Sequence, residues 1–215
     1  MGKSNDKKRH LYLLHTTDSI VEYLEKLFVP FVIPIHRVDK SFLPLLRSGD
    51  LKWAYQSIQK DLEDIRKIKD PQDQILITCT SVGYIGTNFR DKNVIRIVDA
   101  SIDYIKSTDW SIGIVFTNQP VFEEIRSILS SNWILEERLI PCFIPGAFLS
   151  ITSGDPDNHD LLVVSALKRN EWWADNYFLS QVSVCSANSR SLNFQEVKTP
   201  VISMIDVALE KFLKR

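Results

Sequence analysis

ILITCTSVG, residues 75 to 83, is a short run of Ile and Leu that stops at a thiol, two hydroxyls and a glycine. A run this short and this rich in β-branched side chains suits a buried strand better than a helix, and the polar turn after it marks the strand's end. Cys79 therefore stands between an apolar strand and a polar, Gly-containing turn.

The same alternation extends in both directions. Strand-like runs lie near residues 10–16, 31–37, 75–80, 94–98, 111–117, 134–140, 176–182 and 200–204. Between them, helical spacing predicts helices at 18–28, 51–69, 100–106, 120–129, 159–172 and 207–214, the clearest at 51–69, where Ala54, Ile58, Leu62, Ile65 and Ile68 recur at steps of three or four. Asp18 reads as an N-cap and Pro120 as a first-turn residue. Strands alternating with helices give an α/β fold built on mostly parallel sheets. The Pro, Gly and Ser punctuation of 141–156 reads as an irregular crossing, and the two halves repeat one order of strand, polar turn and helix.

A chain of 215 residues with 44% hydrophobic content can bury a substantial core. Its 26 Lys and Arg against 27 Asp and Glu leave no net field for nucleic acid or an anionic membrane, and Lys3, Lys7, Lys8 and Arg9 read as a solvated terminus. The apolar run at 26–35 is broken by Pro30 and Pro34 and falls short of a bilayer span, and no secretory signal pattern opens the chain. A cytoplasmic protein without membrane or nucleic-acid partners is expected. Three distant cysteines without CxxC spacing argue against a disulfide framework and a thiolate zinc site, and no His/Asp/Glu spacing matches a metal motif.

Ligands of parallel α/β sheets gather beyond the carboxyl ends of the strands. Four such ends carry small polar groups ahead of a helix or helix start: His15-Thr16-Thr17-Asp18, Cys79-Thr80-Ser81, Thr117-Asn118-Gln119 and Gln181-Val182-Ser183. Free backbone N–H groups at such helix starts suit a small carboxylate or phosphate. Cys79 is placed as a base or nucleophile, or alternatively as a small packing residue. Cys142 and Cys185 read as core. His15 and His36 end apolar strands, His159 with Asp160 opens a helix, and Trp172 and Trp173 read as packing residues. The GxSxG elbow is absent, and Gly83 with Gly86 makes no phosphate-loop fingerprint.

Eight segments in order resemble the aspartate/glutamate racemase superfamily: LLHTTDSI (13–20), HRVDKSFLPLLRSGDL (36–51), ILITCTSVG (75–83), VIRIVDASI (94–102), IGIVFTNQPVF (112–122), GAFLSITSGDPDNHD (146–160), DNYFLSQVSV (175–184) and TPVIS (199–203). The resemblance implies two pseudo-symmetric lobes, each a mostly parallel four-stranded sheet flanked by helices, with a ligand cleft between them. The first lobe would span 1–98 and the second 99–199, with 200–215 packing back onto the first. In racemases of this superfamily one Cys from each lobe flanks the substrate's α-carbon, one thiolate removing a proton and the opposite thiol supplying another.

Cys79 matches the first of these positions, and Gln181 falls on the second. A primary amide does not exchange protons as a base at neutral pH. Three readings follow. Cys185 swings into the site. Or the chain runs cofactor-independent, one-base isomerase, lyase or racemase-like chemistry beside a carboxylate, with Cys79 and Gln181 as catalytic pair. Or the scaffold is a non-catalytic carboxylate sensor. In the enzyme reading His15, Thr16, Thr80, Ser81, Thr117, Asn118, Ser183 and His159 contact the substrate, the partner is a small-molecule carboxylate, no metal or cofactor takes part, and a homo-oligomer is allowed.

Overall fold

A computed structural model describes residues 8–85, 93–169, 172–190 and 196–213, the side chains of 83–85 and 188–190 excepted. Lys3, Lys7 and Gly86 lie outside the described residues. The chain divides into two compact units, Met1–Arg96 and Ile97–Arg215.

In the first unit β1 (His10–His15), β2 (Ile33–Val38), β3 (Gln74–Ile77) and β4 (Val94–Arg96) form a parallel sheet in the order β2-β1-β3-β4. Helices α1 (Val21–Phe28), α2 (Phe42–Arg47), α3 (Leu51–Ile68) and α4 (Thr80–Ile85) connect and follow the strands. Consecutive residues Leu11, Tyr12, Leu13 and Leu14 are all buried, as a central parallel strand covered on both faces requires. Tyr12, Leu14, Ile75 and Ile77 share one cluster with the Ala54, Ile58, Leu62 and Ile65 stripe of α3. Each such buried aliphatic side chain contributes about 1.5–3 kcal/mol. Ile68, last in the expected stripe, is instead exposed at the helix end.

The second unit repeats this plan. β5 (Ile112–Phe116), β6 (Leu139–Phe143), β7 (Asn176–Leu179) and β8 (Val201–Ser203) are parallel in the order β6-β5-β7-β8. Its helices are α5 (Ile97–Lys106), α6 (Gln119–Ser131), α7 (Ala147–Thr152), α8 (Pro156–Arg169), α9 (Val182–Arg190) and α10 (Met204–Leu213). The two four-stranded parallel sheets are those expected.

Several details differ from the sequence reading. Residues 200–215 do not complete the first sheet: β8 hydrogen-bonds to β7, and α10 packs against α5, which moves the unit boundary to 96/97. The sixth strand starts at Leu139 because Glu136–Arg138 forms a 3-10 turn tied down by Arg138, whose guanidinium donates to the Trp110 carbonyl at 3.1 Å. The region 141–156 is not an irregular crossing throughout. Pro141 lies inside β6, tolerated because β6 is an edge strand, as β2 is with Pro34, and α7 starts after Gly146, whose φ of 81° suits glycine. Thr17, not Asp18, caps the turn ahead of α1, accepting from the Ser19 N–H. Pro120 does sit in the first turn of α6. Trp172 packs edge-on against Tyr177, whereas Trp173 is 86% exposed with a left-handed φ of 54°. The short helices α2, α4, α7 and α9 carry no long apolar period and escape a periodicity reading; α2 is started by Asp39, whose Oδ1 accepts the N–H groups of Ser41 and Phe42.

Candidate functional site

The register of each sheet places the candidate residues. Leu14 pairs with Ile77, so His15 and Thr78 emerge side by side at the carboxyl ends of β1 and β3, followed by Thr16 and Cys79. Val115 pairs with Leu179, so Phe116 and Ser180 emerge together, followed by Thr117 and Gln181. Cys79 and Gln181 are thus each the second residue beyond the corresponding strand. The equivalence extends to bonding. Thr78 Oγ1 lies 3.1 Å from the Leu14 carbonyl, and Ser180 donates to the Val115 carbonyl at 2.7 Å.

In the first unit Cys79 is half-buried and directly precedes α4, in whose first turn Thr80 and Ser81 are buried. Thr16 is buried beside them. His15 is fully buried with both ring nitrogens occupied. Its Nδ1 lies 2.8 Å from Thr78 Oγ1 and its Nε2 2.8 Å from His36 Nδ1, while His36 Nε2 reaches Glu25 Oε2 at 2.8 Å. Burial, with His36 adding to it, pushes the His15 imidazole down to about 3. Expected as a substrate contact, His15 has both ring nitrogens engaged by Thr78 and His36 instead. His36 was visible as a strand-end histidine but without a role, and Glu25, one of many acidic residues on helices, carried no signal.

In the second unit the Thr117 backbone N–H donates to Gln181 Oε1 at 2.7 Å and the Thr117 hydroxyl donates to the same oxygen at 3.1 Å. A backbone N–H can only donate, so the carbonyl end of Gln181 must face it and the amino group is turned the other way with both N–H donors. Among the described residues nothing accepts from that amino group. Asn118 precedes α6 without capping it through its side chain, and Ser183 lies half-buried in the first turn of α9.

His159 does not join this row. It is buried within α8, its Nδ1 2.8 Å from Asp160 Oδ1 and its Nε2 without a partner among the described residues. Cys142, inside β6, is pushed up to about 12 by burial. Cys185 is fully buried in α9, donates to the Leu179 carbonyl at 3.3 Å, and is pushed up to about 11 by burial against weaker opposing hydrogen bonds led by Ser203. This anchoring speaks against Cys185 replacing a second reactive thiol. A trio with metal-ligand spacing, His10, Asp70 and Asp73, lies at the opposite, amino end of β1, where the Asp73 oxygens already accept the backbone N–H groups of His10 and Asp70.

No family model and no curated protein sequence matches the chain. Solved structures do. An aspartate racemase of Picrophilus torridus superposes with a TM-score of 0.72 at 13% identity, over 96% of this chain and 93% of that one. The chain has the aspartate/glutamate racemase fold. A Bacillus anthracis glutamate racemase (TM-score 0.68, 12% identity, 97% of this chain and 82% of that one) and an arylmalonate decarboxylase (0.55, 11%, 96% and 91%) share it. The paired strand ends of each unit, not His159 of α8, bring the candidate groups together. Among the described residues no helix is long and apolar enough to cross a membrane.

Proposed function

We propose that this chain is a racemase-like enzyme that performs one-base proton chemistry beside a carboxylate, with Cys79 as acid/base and Gln181 as a hydrogen-bond donor. The observation that carries this reading is the clamp on Gln181. It stands at the register position equivalent to Cys79, and Thr117 holds its carbonyl so that it presents only N–H donors. Such a group can hold a carboxylate or a developing enolate oxygen but cannot return a proton to carbon. The buried polar groups of Thr16, Thr80, Ser81 and Thr117, with Asn118 and Ser183, supply short donors for a carboxylate. Thiol chemistry of this kind requires no metal or cofactor.

The structural relatives include racemases and an arylmalonate decarboxylase, so the first panel to test is aspartate, glutamate and arylmalonates. In deuterated water, mass spectrometry of the panel is expected to show α-deuteration or decarboxylation by the native chain, reduced at least about 100-fold in Cys79→Ser. Equal turnover by Cys79→Ser sinks the assignment. A second reading, a carboxylate-binding protein, is favoured by the same non-basic Gln181. Under it panel members raise the melting temperature without any exchange.

A further inference from the structure

Thr78, His15, His36 and Glu25 form one continuous hydrogen-bond line from the strand end carrying Cys79 to a half-exposed carboxylate on α1. The two imidazole rings lie within 25° of one plane with centroids 5.0 Å apart. That separation is what an in-line N–H···N bond of 2.8 Å between nearly coplanar rings gives, rather than face-to-face stacking.

Counting donors leaves two complete arrangements. In one, the Thr78 hydroxyl donates to His15 Nδ1, His15 Nε2–H donates to His36 Nδ1, and His36 Nε2–H donates to the Glu25 carboxylate. In the other, the Thr78 hydroxyl donates to the Leu14 carbonyl, as its 3.1 Å contact allows. His15 must then donate from Nδ1 to Thr78 and accept at Nε2 from His36, which carries protons on both nitrogens and donates the second to Glu25. The second arrangement holds one proton more. His15 stays neutral in both and exchanges its N–H from one nitrogen to the other. Water supplies the added proton, the charge rests on His36 against Glu25, and no other bond is made or broken.

We propose that these four residues form a one-proton switch, in which protonation of His36 reverses the His15 tautomer and turns the Thr78 hydroxyl, and that they are positioning residues for the adjacent Cys79. The last clause rests on the function proposed above. The charges around the line are accounted for on each neighbouring element. Asp18, after β1, is paired with Lys40; Arg37 of β2 is paired with Asp61 of α3; Glu22 and Lys26 of α1 pair with each other. Glu25 is left as the counter-charge of the line.

The test is a titration of the full chain by 15N-detected NMR of the histidine rings, beside the rate of Cys79 alkylation by iodoacetamide. Expected is a change of His15 from the Nε2–H to the Nδ1–H form, without charging, in the same step in which His36 gains its proton, with a step in the Cys79 alkylation rate at that pH. In His36→Phe both steps vanish. Glu25→Gln, on the surface, keeps the fold, and in it the ring step and the alkylation step still coincide; steps that separate overturn the switch. A His15 ring that keeps one tautomer throughout, or that still switches in His36→Phe, overturns the switch. Steps in the rings without one in Cys79 alkylation overturn the positioning role. Failure of the function itself shows elsewhere, as loss of α-deuteration's dependence on Cys79 while the ring switch persists.

Discussion

The two sheets are built to one plan and differ where chemistry would occur. His15 ends β1 and Cys79 stands two residues past β3; at the equivalent places Phe116 ends β5 and Gln181 stands two residues past β7. His15 joins a polar line through His36, whereas Phe116 stacks in an aromatic group with Phe122 and Phe143, at centroid distances of 4.7 and 5.3 Å. One strand end is thus backed by hydrogen-bonded imidazoles and the other by an aromatic cluster. The interiors differ by exchange of volume. Tyr12 pairs with Ile75 in the first sheet, while Gly113 pairs with Tyr177 in the second, so a tyrosine fills each core from a different strand.

The comparison can be broken at its sharpest point by His15→Phe, which gives the first sheet the second's residue. Thr78 and His36 then lose a buried partner, and denaturant unfolding is expected to show a loss of about 2–4 kcal/mol. A neutral outcome would mean that the polar line carries no stabilisation. Acidification sharpens the same contrast. His15 has a folded-state value near 3 against about 6.5 when unfolded, so between those limits the unfolded chain binds a proton that the folded ring refuses. Stability contributed by neutral His15 is therefore full above about pH 6.5 and falls by about 1.4 kcal/mol per pH unit on the way down to 3, a component absent from His15→Phe.

Gly113→Ala tests the volume exchange. An added Cβ would stand 2.7 Å from Tyr177 Cδ1 and 2.8 Å from Cys142 Sγ, so a loss of about 1–3 kcal/mol is expected in urea melts. Thr117→Val should have the smallest effect. It removes the hydroxyl bond to Gln181 but leaves the backbone one, for about 0.5–1.5 kcal/mol, and unchanged stability would show the hydroxyl to be dispensable to the clamp.

Strands, their parallel order and the long helix were legible because each rests on local apolar spacing. Gln181 was set against Cys79 by the family resemblance alone, and the strand ends at Ile77 and Leu179 put each of them two residues past its strand. What escaped depends on partners distant in sequence. Glu25 lies 11 residues from His36, and His15 lies 63 from Thr78. Nothing in the neighbourhood of any of these residues reports the contact. The sheet that residues 201–203 join escaped for the same reason. TPVIS reads as a strand, but only its pairing with Tyr177–Leu179 assigns it to a sheet.

Under the proposed function Cys79 exchanges the substrate proton and Gln181 does not. The most direct test follows the stereochemistry of α-deuteration of single enantiomers of aspartate and glutamate in deuterated water by the native chain and by Gln181→Cys. The account predicts exchange with retention in the native chain and the appearance of the opposite enantiomer only in Gln181→Cys. Interconversion of enantiomers by the native chain at the rate of exchange would contradict it.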